Sequence, residues 1–176
     1  MRITVAPVDT TLREQVLALT LDSAQRAWVG PVDAMLADAD ARDTMEMMAI
    51  LADGAVVGCY RFEYRLQAVT LRSFDCAGVA LLGYCIDAAW QRRGIGTRAL
   101  ASVCDDLRQR HAELGLLVLN VACRNHPAVR VYRRAGFRNY GPAHAGGAGG
   151  AEQLMVRTLA PAPLASTHSR KAHRRG

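Results

Sequence analysis

Tyr132 carries the most useful proton in this sequence. A phenol of ordinary pKa near ~10 stays protonated at neutral pH, yet can give its proton to a basic leaving atom held within hydrogen-bond reach. Asn125, Ala128 and Tyr132 are spaced by three and four residues. On a helix that spacing lays a polar cap, a small residue and a phenol along one face, lining a single groove. About one helix and one strand upstream, Gln91-Arg92-Arg93-Gly94-Ile95-Gly96-Thr97 offers a different chemistry. Its glycines let backbone approach a ligand closely, Arg92 and Arg93 can add charge-assisted contacts, and a helix starting there aims its first amides at one point. Such a turn can meet an anion, a diphosphate for example. Taken alone, it is equally an ordinary strand-to-helix turn with solvated arginines.

The other chemically capable residues have plainer explanations. Glu63 alternates with Arg61 and Arg65, the pattern of a solvated charged strand edge, although a carboxylate there could also act as a base. Asp87 can simply hydrogen-bond backbone at the turn, and His126 beside Pro127 suits a helix start. Cys85 and Cys123 lie near the expected groove but have no positioned histidine, which argues against a nucleophilic thiol. The five cysteines form no Cys-x-x-Cys pair and no histidine completes a zinc site, so no metal is expected. Tyr60, Phe62 and Tyr64 share one strand face, a core pattern, with Tyr64 or Trp28 able to wall a substrate pocket.

The elements that must hold these residues alternate between strand and helix. Ile3 to Val5 reads as an opening strand, and Thr10 or Thr11 as the cap of a helix with Leu12, Val16 and Leu19 on one side. Asp22 to Arg42 is helical in pieces, broken at Gly30-Pro31. Met45 to Leu51 and Val56 to Tyr64 flank Asp53-Gly54, a strong signal for a tight hairpin. Val79 to Asp87 is apolar on both faces, as a central strand should be, and leads at once into the glycine turn. Thr97 to Arg110 is an amphipathic helix and Leu116 to Ala122 another buried strand. Asn125 caps a helix that Gly136 ends, and Phe137 to Tyr140 and Leu154 to Leu159 close the sheet. The glycine-rich stretch 141–150 between the last two strands reads as a mobile loop.

The 176 residues and an apolar fraction of 51% suit one folded domain, residues 1–159, followed by a basic tail, residues 160–176, expected to be disordered. The net charge of +6 is largely the tail's, since Arg170, Lys171, Arg174 and Arg175 leave 18 basic against 16 acidic residues elsewhere. A nearly neutral body argues against a nucleic-acid partner. No stretch approaches the ~18 apolar residues of a membrane span, and the N-terminus has no apolar signal core, so no membrane partner and a cytoplasmic location are expected.

The two motifs, in this order and spacing, resemble the GNAT superfamily of acyl-CoA N-acyltransferases over roughly residues 2 to 159. The resemblance implies an α/β fold: a mixed, mainly antiparallel twisted sheet of about seven strands flanked by helices, in which the strands ending at Asp87 and Ala122 run parallel and splay apart. It implies acetyl-CoA as co-substrate, with the diphosphate on Gln91, Arg92, Arg93, Gly94, Ile95, Gly96 and Thr97. The pantetheine arm would lie along Cys85-Ile86-Asp87, with Asn125 and Ala128 facing it and Tyr132 protonating the departing thiolate. The segment Leu19 to Pro31 is loosely similar to the diamine and spermine N-acetyltransferases, which implies a small-molecule, polyamine-like amine as acceptor. Alternatives are a protein N-terminus or lysine as acceptor, or a CoA-sensing domain without turnover. Members often dimerise, which leaves a homodimer open. Many carry a glutamate in the central strand, whereas Val79-Ala80-Leu81-Leu82-Gly83-Tyr84 holds no carboxylate. Glu63, Asp87, a water chain or an acceptor of low pKa remain for the base.

Overall fold

The computed structural model describes residues 1–146 and 149–159. The tail expected at 160–176 lies outside the described residues. Eight strands form one sheet in the order β1-β2-β3-β4-β5-β8-β6, with β7 also on β8. They are β1 (Ile3–Pro7), β2 (Met45–Ala52), β3 (Ala55–Glu63), β4 (Gly78–Ile86), β5 (Leu116–Ala122), β6 (Arg138–Asn139), β7 (His144–Ala145) and β8 (Ala151–Thr158). Every pairing is antiparallel except that of β4 with β5. The strand beyond the seven expected is β7, inside the stretch read as a loop: His144 and Ala145 pair with Glu152 and Ala151, so backbone pairing orders part of a segment poor in side chains. Residues 147 and 148 of that stretch lie outside the described residues.

Two cores sandwich the sheet. On one face α5 (Ile95–Arg110) and α6 (His126–Arg134) cover Tyr60, Phe62, Leu81, Leu119 and Met155. On the other, α1 (Thr10–Leu17) and α3 (Val32–Asp40) cover Met47, Ala49, Cys59 and Cys85, while α2 (Ser23–Val29) and α4 (Leu66–Thr70) lie toward the β4 and β5 end. The alternation of β3 divides these layers cleanly, since Tyr60 and Phe62 face α5 whereas Cys59 faces α3. The cap of α1 is Asp9, not Thr10 or Thr11: its carboxylate accepts from the Leu12 N–H (2.8 Å), and both threonines fall within the first turn of the helix. Asp53 (φ 48°) and Gly54 (φ 90°) form the expected hairpin turn.

Two glycines let β3 and β4 meet. A Cβ on Gly58 would stand 2.4 Å from the Cys85 carbonyl oxygen, and Gly83 takes φ +60° where the register slips between Cys59 and Arg61. Because the obstacle at Gly58 is backbone, it cannot rotate away. Gly58→Ala is therefore expected to lower the unfolding free energy by about 3 kcal/mol in denaturant titration, the cost of overpacking a close strand pair. An unchanged midpoint would mean that the strands separate without penalty.

The pairing that matters most is the shortest. β4 and β5 are joined only from Gly78–Ala80 to Leu116–Val118, and beyond these residues they diverge. The splay expected between them is present. No helix among the described residues is long and apolar enough to cross a membrane.

Candidate active site

The divergence strips β4 of a partner on one edge from Leu81 onward. Ile86 lies opposite Gly58 on β3, and the next residue, Asp87, donates its N–H to the Val57 carbonyl (2.9 Å). In an antiparallel ladder this makes Ile86 the non-hydrogen-bonded member of its pair, so its N–H and C=O both point away from β3, into the gap. Of the three residues expected along the cofactor arm, only Ile86 turns its main chain there. Cys85 packs its thiol against Cys59 (3.4 Å), on the far side of the strand. That contact and burial push the Cys59 thiol up, whereas the hydrogen bonds to Cys59 draw the Cys85 thiol down; both side chains are fully buried, so neither sulfur is placed to attack a ligand. Asp87 spends both carboxylate oxygens on backbone, accepting from Ala89 N–H (2.9 Å) and Thr20 N–H (2.8 Å).

A 3₁₀ turn, Ala88–Trp90, intervenes before the glycine turn. The carboxamide of Gln91 reaches back to the Ile86 carbonyl (3.2 Å). Arg92 takes φ +59°, uncommon for a side-chain-bearing residue, and Gly94 φ +73° as the cap of α5. No side chain caps this helix, and its first internal bond is from Arg98 N–H to the Gly94 carbonyl (3.2 Å). The amides of Ile95, Gly96 and Thr97 therefore point out of the helix start, where the macrodipole favours negative charge. Nothing lies within 4 Å of where a Gly94 Cβ would be, so the approach is open. Arg93 stacks over Trp90 (5.1 Å) at the rim, while buried Ile95 fixes the helix start in the core.

Asn125 caps α6 as expected, its Oδ1 accepting from Ala128 N–H (3.3 Å), and Gly136 ends the helix with φ +88°. Tyr132 follows on the same helix, 9% exposed, its ring 5.7 Å from Phe137 and 6.3 Å from Tyr84. Burial, with the Cys85 thiol nearby, raises its pKa and keeps the phenol protonated. Tyr84 is the residue that sequence reasoning passed over. Its hydroxyl donates to the Gly96 carbonyl (2.6 Å), so one half-buried ring ties the first turn of α5 to β4 and backs Tyr132. Its position in an apolar run gave no sign of this, because the β4 irregularity at Gly83 decides which face it takes.

Glu63 is not a solvated edge residue. It is 2% exposed, and its carboxylate accepts from Arg65 N–H (2.7 Å), since the chain folds back after β3 into α4 and Arg65 precedes that helix. By strand alternation it faces the α3 side with Arg61, whose guanidinium pairs with Asp38, and the structure does not bring it to Tyr132. Tyr64 bonds Glu46 (2.8 Å) and approaches His111 (3.1 Å), away from the gap. Trp28 does stand at the gap: a Cβ built on Gly149 would lie 3.4 Å from its ring and 3.6 Å from Ala122 at the end of β5, and the Arg124 guanidinium lies over its ring (5.2 Å).

Burial holds the phenols of Tyr60, Tyr84 and Tyr132 above the ordinary value. In the unfolded chain each ionises at about 10, so the folded state disfavours the charged form. Their contribution is complete below pH ~10 and is lost as pH rises through the folded values. Stability should fall above pH ~10 by about 1.4 kcal/mol per pH unit for each phenol still protonated, roughly 4 for all three. Denaturant titrations at pH 9, 10 and 11 check this; a flat profile would mean that the phenols ionise freely in the fold.

The sequence profile of the Acetyltransferase (GNAT) family matches residues 13–137. The chain belongs to this family. Among curated proteins, the GNAT chain is 32% identical over 100 residues to the L-amino acid N-acetyltransferase AaaT of Escherichia coli (strain K12), covering 54% of this chain and 55% of that protein. The chain thus spans about half the length of that relative. Solved structures share the fold at low identity. An aminoglycoside acetyltransferase, AAC(6')-Ib, in complex with coenzyme A superposes with TM-score 0.68 at 17% identity, over 89% of this chain and 95% of that one. The spermidine N-acetyltransferase of Vibrio cholerae with CoA and spermine gives 0.65 at 13% identity, over 90% and 96%.

Proposed function

We propose that this GNAT chain transfers the acetyl group of acetyl-CoA to a primary amine of a small molecule, by direct attack in a ternary complex. The observation that carries this reading is the main-chain edge of Ile86. It opens into the β4–β5 gap beside the uncapped start of α5 and one aromatic ring away from Tyr132. The residues present fit the co-substrate: an open, positively polarised turn for phosphates and an unpaired strand edge for an amide-bearing arm. When bound, acetyl-CoA supplies an activated thioester carbonyl. The amides of Ile95, Gly96 and Thr97, with Gln91, Arg92, Arg93 and Gly94 around them, hold the phosphates. The main-chain N–H and C=O of Ile86 orient the arm and the backbone near Ile86 polarises the carbonyl, while Ala128 and the Asn125 carboxamide line the opposite wall. Tyr132 holds its proton for the sulfur.

The acceptor must lose a proton, which costs an alkyl ammonium of pKa ~10.4 about 4.6 kcal/mol at pH 7. With Asp87 committed to amides and Glu63 on the other face, water at the mouth of the gap takes that proton, or the acceptor has a low pKa. A polyamine-like acceptor follows from the likeness of Leu19 to Pro31 to diamine acetyltransferases. A second reading, an amine that also bears a carboxylate, is favoured by the likeness to AaaT, an L-amino acid N-acetyltransferase. Thiol release from acetyl-CoA across polyamines, amino acids, aminoglycosides and peptides separates them. Turnover with peptides alone would move the acceptor to protein amines, and acetyl-CoA binding without turnover on any amine would make this a sensing domain.

A further inference from the structure

The helix α2 straddles the gap. Gln25 and Trp28 are three residues apart and share a helix face, and each rests on a different lip. In the orientation that pairs donors with acceptors, the Gln25 carboxamide donates to the Ile86 carbonyl (2.8 Å) and accepts from the Ile86 N–H (3.2 Å). Gln91 lies against it at 3.1 Å. Trp28 rests on the β5 lip, against Gly149 with Arg124 above. A side-chain carboxamide has thus taken both main-chain groups of the one residue that opens into the gap, sharing the carbonyl with Gln91, as a neighbouring strand or an amide-bearing ligand would. The helix that delivers it is built to leave: its seven residues include no buried side chain, and Gly30 (φ 77°) and Pro31 end it. The segment before it stays, held through Thr20 N–H to Asp87 (2.8 Å) and Ala88 N–H to the Thr20 carbonyl (2.8 Å).

We infer that the Gln25 carboxamide stands in for the donor's amide on Ile86 before the donor binds, so that donor binding must displace α2 and thereby frees Trp28 from the acceptor mouth. The inference rests on the reading of the gap as the acetyl-CoA site. Two consequences follow. The donor and the Gln25 carboxamide compete for one N–H and one C=O, so removing the carboxamide strengthens donor binding. The acceptor mouth is open only once the donor is in place, so binding is ordered, donor first.

The test uses the full chain, with acetyl-CoA as the probe in calorimetry and Trp28 emission in a Trp90→Phe background, Trp90 being the only other tryptophan. Gln25→Ala should bind acetyl-CoA about fivefold to tenfold more tightly than wild type, the worth of one or two net hydrogen bonds, with kcat at saturating donor unchanged. Acetyl-CoA should shift Trp28 emission, whereas 3′-phospho-ADP, which lacks the arm, should leave it unmoved. In Gln25→Ala the emission should already resemble the bound state. Equal or weaker affinity in a folded Gln25→Ala, or a Trp28 response to 3′-phospho-ADP as large as to acetyl-CoA, would overturn the stand-in while leaving the donor site intact. Failure of wild type and variant alike to bind acetyl-CoA would overturn the functional reading and the stand-in with it.

Discussion

Gly94→Val is expected to weaken acetyl-CoA binding by a hundredfold or more while leaving the chain folded. Gly94 caps α5 at φ +73°, and nothing lies within 4 Å of a Cβ built there. An L-residue held in that conformation costs about 1–2 kcal/mol, more when β-branched, which a folded domain can absorb. What it cannot keep is the approach. The new side chain stands in the open space through which an anion reaches the amides of Ile95, Gly96 and Thr97, so contact and local conformation are lost together. A hundredfold corresponds to about 2.7 kcal/mol, a modest toll for several charge-assisted hydrogen bonds. Calorimetry with acetyl-CoA, beside a thermal melt, checks the claim. Retained affinity in a folded Gly94→Val protein would remove the turn from the diphosphate site. Gly96 behaves differently, since its Cβ would meet Val131 at 3.6 Å and Ile86 at 3.9 Å, ordinary contacts that alanine tolerates. The sequence pattern treats these glycines alike, whereas the structure asks for backbone freedom at one and space for no more than a methyl group at the other.

That contrast shows what was legible in advance. The local geometry of the proposed donor side could be read because it is made from local signals: a glycine turn between strand and helix, a capping Asn125 before Pro127, a phenol at helical spacing. Each is settled within a dozen residues of sequence. The splay was also expected, since it comes with the family resemblance. What escaped depends on long-range register. Tyr84 lies in an apolar run whose face is reset by the irregularity at Gly83, and only then does its hydroxyl meet Gly96, twelve residues on. Glu63 alternated with arginines and read as solvated, but burial followed from where α4 folds back, which no local pattern announces. The partnership of Gln25 with Ile86 spans 61 positions of sequence and involves a side chain imitating backbone. Glycine-rich 141–150 gave no strand signal because β7 is recruited by the edge of β8 and not by its own side chains.

Tyr132→Phe should cut kcat by about 100- to 10,000-fold, the usual worth of a positioned proton donor, while acetyl-CoA affinity stays within about twofold of wild type. The split follows from what the side chain touches. Its packing against Tyr84 (6.3 Å) and Phe137 (5.7 Å) is ring against ring, which phenylalanine preserves, so the groove keeps its wall. Only the hydroxyl is lost. Tyr84 cannot replace it, because that hydroxyl is spent on the Gly96 carbonyl at 2.6 Å and leaving would untie the start of α5. The pH dependence separates the roles further. Burial keeps the Tyr132 phenol protonated well beyond neutral pH, so wild-type turnover should rise with pH as the acceptor amine loses its proton, with no falling limb from this residue below pH ~10. The variant should show the same rise at a lower level, because the rise belongs to the amine. Unchanged kcat would remove Tyr132 from proton transfer to sulfur. A rise abolished in the variant would instead make the phenol a base, a role its raised pKa opposes.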